Sequence, residues 1–592
     1  MIKNVRQFAR LFLFAVIFCL FLFTLSACSL FSGLGPKHEH VFSQYEYTVD
    51  PDCFNRGYDV YKCSCGQIEE RNFTDPSHDF QKNGITGGTC VTEAETVFIC
   101  SRCGAEKTEP IKGVFGNHHY VLAKCEYCNA DIVPSSDEFF TFDLKEDGTY
   151  AVSAAEGVIL PSQLVIPWKH NDKAVTEIGN FDNKSELEEV IIPDTAYIIS
   201  SNAFSGCASL KYNEYNSVKY LGSKDNPYYA LMYCLPSAVK CVIHSDTKIT
   251  ALNAFYAASD IGSIVFPENI SYIANTALQE KITSLEIKGR DTIIAESAFV
   301  GCRKLKNVIL SDGVTEIGRD AFSNCSVIES FSLGNGVREI GNGAFSFSSL
   351  KKINIPDSCE KIGDEAFYFC EDLSIITLGE NVRSIGKRAF SHTKIKEFVI
   401  TDSVETVAEE AFMAATIEKI TIGAKLDKLE KGLFYLSSLK EITIPSNIKT
   451  IGNQTFASCS FLKKVTIKSG VTDILEGAFY DCGAIEEIVI PGSVVSIGEN
   501  AFYCCNGIVC ITLMDGVKNI GANAFYNCRA AEKIYISKSL VSIGDSAFRD
   551  SYNIKEVYID DLTAWRNISG LENLTSYIAY DYRLYLNGNL ID

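Results

Sequence analysis

The sequence lacks the common catalytic phrases. No HExxH helix, GxSxG elbow or Walker loop occurs in its 592 residues, so neither a zincin, an α/β-hydrolase nor a P-loop NTPase is expected. Positive charge is short: 54 Lys and Arg stand against 74 Asp and Glu, a formal net charge of −20. Without a basic face to neutralise phosphates, nucleic acid is excluded as a partner. A self-repelling acidic surface suits a soluble exported protein. Histidine is scarce, and of the 8 only His170, His244 and His392 lie beyond residue 134. After Phe23 no apolar run approaches the ~20 residues of a membrane-spanning helix. The apolar fraction of 46% is ordinary for a folded protein, so disorder does not dominate.

What is present begins with a leader. Lys3, Arg6 and Arg10 precede an apolar run from Leu11 to Phe23, and small residues follow. That is the layout of a secretory signal. The phrase Leu25-Ser26-Ala27-Cys28 resembles the bacterial lipobox. The resemblance implies removal of residues 1–27, diacylation of Cys28 and a tether at the membrane, with residues 28–36 as a linker. The alternative is an uncleaved N-terminal anchor, or an ordinary signal with a chance cysteine. Each reading places the remainder outside the cytoplasm.

Beyond about residue 160 the chain repeats itself. A phenylalanine in an Ile-Gly-x-x-Ala-Phe phrase recurs at Phe299, Phe322, Phe345, Phe367, Phe390, Phe412, Phe434, Phe456, Phe479, Phe502, Phe525 and Phe548, in steps of 22 or 23 residues. Phe181, Phe204, Phe255 and Leu278 extend the series to sixteen slots. In the unit Leu439–Phe461, Ile442-Thr443-Ile444 alternates as a half-buried strand does. Pro445 stops pairing, and Gly452 is expected to permit a tight bend. Phe456 and Cys459 share one side of a short helical or 3₁₀ turn. A single unit buries too little to stand alone, so the units must stack. Such self-similarity is the signature of a solenoid.

The pattern, covering roughly residues 137–592, resembles the BspA-type leucine-rich repeat of bacterial surface proteins. Its phrase recurs almost unchanged at 317–325, 362–370, 497–505 and 520–528. The resemblance implies a right-handed solenoid with one short parallel strand per turn. An N-terminal cap is placed at 134–165 and the repeats at 166–560. An irregular insert at 212–233 is similar to one seen in that class. Residues 561–592 leave the pattern, as a cap or as the start of a further insert.

Eight cysteines follow the repeat phenylalanine by three: Cys207, Cys302, Cys325, Cys370, Cys459, Cys482, Cys505 and Cys528. They are expected to form a reduced, buried column, cysteine acting as a small apolar side chain. Phe347, Lys394 and Ser437 are read into the same slot elsewhere, which a required disulfide would not tolerate. The outward residue of successive strands runs Ile309, Ser332, Asn354, Thr377, Val399, Thr421, Thr443, Thr466, Val489, Thr512, Tyr535 and Tyr558. Thr443, Thr466, Thr512, Tyr535 and Tyr558 are the candidate binding residues on this face, with the two tyrosines as stacking anchors. The bland alternative is that β-branched residues simply suit exposed strands.

Residues 37–133 carry a weaker periodicity of His, Cys, then a close cysteine pair. The first group is His40, Cys53, Cys63 and Cys65; the second is His78, Cys90, Cys100 and Cys103; the third is His118, His119, Cys125 and Cys128. A CxxC turn aims two thiolates at one centre, and a further Cys and His complete a tetrahedron for structural Zn²⁺. The segment resembles the small zinc-ribbon-like modules that precede repeats in some bacterial surface proteins. Disulfides are the alternative, and either staple would support modules too small for a core.

The sequence therefore points to a lipid-anchored, non-catalytic surface protein that binds an extracellular protein or glycan. A surface hydrolase and a passive spacer are the alternatives.

Overall fold

Two strands, not one, recur in each turn of the repeat. The structure is a computed structural model. It describes residues 134–591 apart from 223–225, 237–240 and 260, together with the strand segments 42–49, 57–63, 68–74, 80–86, 93–100, 106–115, 120–121 and 124–125. Cys28 lies outside the described residues. The chain divides into two compact units, Met1–Lys112 and Gly113–Asp592, ahead of the expected boundary at 133/134.

In the first unit, strands Phe42–Val49, Gly57–Cys63 and Ile68–Thr74 form one antiparallel sheet. Phe80–Thr86, Glu93–Cys100 and Glu106–Phe115 form another. The register repeats: Phe42 lies opposite Cys63, and Phe80 opposite Cys100. The weak sequence period therefore corresponds to two like three-stranded sheets.

The second unit is a parallel β-solenoid of about 19 turns with almost no helix. The stack exceeds sixteen turns because turns without the phenylalanine slot extend it at the entry, at the insert and at the end. The first row holds the expected strands, among them Glu441–Ile444, Lys464–Ile467, Glu487–Ile490, Cys510–Leu513, Lys533–Ile536 and Glu556–Ile559. The second row holds two-residue strands such as Thr450–Ile451, Asp473–Ile474 and Ser496–Ile497. Both rows pair in parallel from turn to turn.

Between the second row and the next first-row strand runs an arc centred on the phenylalanine. From Phe299 to Phe548 these rings stack without a gap, centroids 5.0–5.7 Å apart. Leu278 fills its slot, buried as expected. The expected 3₁₀ contact is present, with Cys459 N–H donating to Phe456 O at 3.1 Å. Left-handed residues bracket the arc: Gln454 has φ 54° and Ser458 φ 56°.

Gly452 plays a different part from the expected bend. Its backbone is not left-handed. Its N–H donates to Leu429 O of the preceding turn at 2.8 Å, and a Cβ there would stand 2.5 Å from that oxygen. Glycine is required because two backbones touch.

The insert is an antiparallel excursion. Asn213–Tyr215, Val218–Leu221 and Ala230–Cys234 form a meander, and the last strand rejoins the second row in parallel. Near the other end, Asp561 caps the short helix Leu562–Arg566 by accepting from Ala564 N–H at 2.7 Å. Strand Arg583–Leu586 then continues the first row in register with Glu556–Ile559, and Asn589–Leu590 turns back antiparallel on it.

Candidate binding face

The first-row strands bury alternate residues, as in the pattern exposed-buried-exposed-buried of Glu441–Ile444. The outward residues thus form columns across the turns. Thr443, Thr466, Thr512, Tyr535 and Tyr558 do share one column, in register Thr443–Thr466 and Thr512–Tyr535–Tyr558.

Tyr585 extends that column and was missed. It lies opposite Tyr558, and the three rings stack: Tyr535 on Tyr558 at 4.4 Å and 11°, Tyr558 on Tyr585 at 4.7 Å and 14°. The signal was present, since Arg-Leu-Tyr-Leu at 583–586 repeats the Lys-Ile-Tyr-Ile of 533–536. The lengthened step before it concealed the match. Stacking also changes what these rings offer. The face of Tyr558 is covered on both sides, whereas Thr512, on the far side of Tyr535, is too small to cover a ring. One face of Tyr535 is therefore free to stack on a partner, and Tyr558 presents its edge. The Tyr558 hydroxyl donates to Glu556 at 2.9 Å, and Lys533 pairs with the same carboxylate at 2.9 Å. Hydrogen bonds from Lys533 first, then Tyr558, hold the Glu556 carboxyl below its ordinary pKa.

Beside the outward column runs a column of charge: Glu397, Lys419, Glu441, Lys464, Glu487, Cys510, Lys533, Glu556 and Arg583. Signs alternate except at Cys510. A shallow cavity of about 380 Å³ opens on this face, lined by Lys419, Thr421, Glu441, Thr443, Lys464 and Thr466 over Ile420, Ile422, Ile442 and Pro445. It lies where strand pairing lapses between Lys419–Thr421 and Glu441–Ile444.

A second surface was also missed. On the arcs, Phe347, Phe369 and His392 stack at 5.3 and 4.0 Å while holding left-handed φ of 56°, 53° and 58°. Tyr480, Tyr503 and Tyr526 stack at 4.9 and 4.7 Å. Spacing analysis of the buried phenylalanine passes over the residues beside it.

The cysteine column is buried, and the thirteen cysteines from Cys207 to Cys528 are free thiols. Phe347 and Lys394 do not occupy its slot. Ser348 and Thr393 do, both buried, while Phe347 is exposed. The loop after these arcs is one residue shorter, which displaced the alignment. Every column thiol but Cys302 has a polar duty as well: Cys482 donates to Phe456 O at 2.9 Å and Cys505 to Phe479 O at 3.1 Å. Ser551 does the same to Phe525 O at 2.9 Å.

Of the expected metal ligands, His40, Cys53, Cys65, His78, Cys90, Cys103, His118, His119 and Cys128 lie outside the described residues, as do the side chains of Cys63, Cys100 and Cys125. Among the described residues no group of three His, Cys, Asp or Glu could hold a metal ion. No described helix is long and apolar enough to cross a membrane.

Comparison with known families matches the "BspA type Leucine rich repeat region" over residues 176–302, 292–418, 385–506 and 472–570. Among solved structures, a leucine-rich repeat protein from Bacteroides ovatus is 23% identical, over 77% of this chain and 99% of that one, with a TM-score of 0.41. A leucine-rich cell surface protein from Faecalibacterium prausnitzii is 21% identical over 74% and 99%, with a TM-score of 0.31. The pneumococcal vaccine antigen PcpA is 15% identical over 64% and 98%, with a TM-score of 0.34. No curated protein matches the chain.

Proposed function

The chain belongs to the BspA type leucine-rich repeat family, and from that premise we propose that it is an extracytoplasmic binding protein, not an enzyme. It offers the first-row sheet face to a protein or glycan partner. One observation carries the reading: on one stretch of that face, between Lys419 and Glu487, polar groups are left without partners inside the protein. The hydroxyls of Thr421, Thr443 and Thr466 make no hydrogen bond among the described residues, and Lys419, Glu441, Lys464 and Glu487 make no ion pair. Some such groups elsewhere on the solenoid are paired, as in Lys306–Glu329 at 2.8 Å and Lys361–Glu339 at 2.6 Å.

The full chain probed against an array of extracellular proteins and glycans tests this. Binding is expected, and Tyr535→Ala should weaken it by about tenfold, an aromatic contact being worth roughly 0.5–1.5 kcal/mol beyond its area. Tyr558→Ala should weaken it less, because its faces are already covered. A chain that binds nothing would make the passive spacer the better reading.

Cys28 is the proposed lipid anchor, which requires labelling by a fatty-acid analogue that Cys28→Ala abolishes. The Cys/His groups between His40 and Cys128 are proposed as structural Zn²⁺ sites bracing the chain near the membrane. Metal analysis of the intact protein checks this, and absence of zinc with blocked thiols would favour disulfides.

A further inference from the structure

The cavity at Lys419–Thr466 combines three features that together select a ligand. Its floor carries three unpartnered hydroxyls in one line, from Thr421, Thr443 and Thr466. Along its side stand unpartnered charges in the order Lys419, Glu441, Lys464. Its long direction runs across the strands, so features recur at the strand spacing. Like charges are two strand positions apart, on the order of 10 Å, a repeat that a chain of two alternating sugars can match.

We propose that this cavity binds an acidic polysaccharide in which a uronic acid alternates with an N-acetylated amino sugar. The proposal rests on the sheet face being the binding surface. Carboxylates on alternate sugars meet Lys419 and Lys464. The intervening amino sugar sets its amide N–H or a hydroxyl towards Glu441, which accepts. Sugar hydroxyls exchange hydrogen bonds with Thr421, Thr443 and Thr466. An extended peptide does not fit this register, because its side chains on one face recur every ~6.6 Å. A uniformly anionic chain would place a charge against Glu441.

The net charge of −20 does not forbid an anionic ligand. Charges beyond a Debye length of about 8 Å are screened at physiological salt; within the cavity two ammonium groups stand on either side of one carboxylate, with Glu397 beside Lys419 and Glu487 beside Lys464 just outside it. Lys463 adds a further exposed cation beside Lys464, also without an ion-pair partner. The neighbouring Glu418 is already engaged by Lys440.

The test is calorimetric titration of the full chain with a hyaluronan oligosaccharide, and with an uncharged chito-oligosaccharide of equal length. Hyaluronan is expected to bind, the neutral chain at least about tenfold more weakly, a difference of about 1.4 kcal/mol. The double variant Lys419→Gln/Lys464→Gln should lose about tenfold or more for hyaluronan while melting as the parent does. Glu441→Gln should weaken it too, through the lost acceptor. Equal binding of the neutral chain, or indifference of the double variant, overturns the acidic-glycan proposal and leaves the sheet-face reading standing. So does failure of hyaluronan to bind while another partner's binding is lost in Tyr535→Ala. If every partner found binds equally to Tyr535→Ala and to the lysine variant, both readings fall.

Discussion

The side chain three positions after the repeat phenylalanine does two jobs. It fills a small apolar space and donates a second hydrogen bond to the phenylalanine carbonyl of the preceding turn, which also accepts from an N–H of its own arc, as Phe456 O does from Cys459. Cys207, Cys325, Cys370, Cys459, Cys482, Cys505 and Cys528 all do so, at 2.9–3.4 Å, and Ser551 shows that a hydroxyl serves. Cys482→Ala should therefore cost about 0.5–1.5 kcal/mol for the lost hydrogen bond, beyond the small cavity it leaves, and Cys482→Ser less; chemical denaturation of the two variants checks the order. Burial also silences the column chemically, pushing the Cys370 thiol up to about 12, so thiolate is scarce at neutral pH. Of the thirteen cysteines from Cys207 onward, only Cys504 and Cys510 are partly exposed. Maleimide treatment of the native protein followed by peptide mapping should mark those two, and the other eleven only after unfolding.

At the scale of the strand, pairing follows the length of the step between turns without being decided by it alone. From Ile309 onward, every step of 23 residues between outward positions is paired. The pairing lapses at Ser332/Asn354, Thr377/Val399 and Thr421/Thr443, each a step of 22, whereas Val399/Thr421, also a step of 22, is paired. The shorter steps arise in loops that follow Ser348, Thr393 and Ser437, where the column lacks its cysteine. The cavity on the sheet face lies at one such lapse, and no motif announces it. The opposite requirement holds at Gly452, where turns must touch. Gly452→Ala places a Cβ 2.5 Å from Leu429 O and should destabilise by about 1–3 kcal/mol despite alanine's lower chain entropy. A variant melting at or above the parent would refute contact as the reason for glycine.

As a whole, the solenoid is held by neighbour contacts repeated along one dimension, so its stability is a sum over turns and their interfaces. Loss of one phenylalanine interrupts a stack that otherwise runs from Phe299 to Phe548. Phe456→Ala should cost about 3–5 kcal/mol at its own turn. Its effect should be local: hydrogen exchange should quicken in residues 434–479 and stay slow in turns several repeats away. Uniform loss of protection along the rod would show a more cooperative molecule than nearest-neighbour packing provides.

The repeat was legible because a stack of like turns forces like residues into like places: Phe456, Cys459 and Ile442 recur because each packs on its own counterpart. Composition likewise argued against a nucleic-acid partner, and spacing indicated that the cysteines from Cys207 onward need not be bonded. Tertiary structure decided what depends on a residue's neighbour in the next turn. Such neighbours lie some 22 residues away in the chain and about 5 Å away in space. It made glycine a contact residue at Gly452 and brought Tyr585 into the column of Tyr535 and Tyr558. By covering one tyrosine face and leaving another open, it also decided which side chain of a regular row is free to meet a partner.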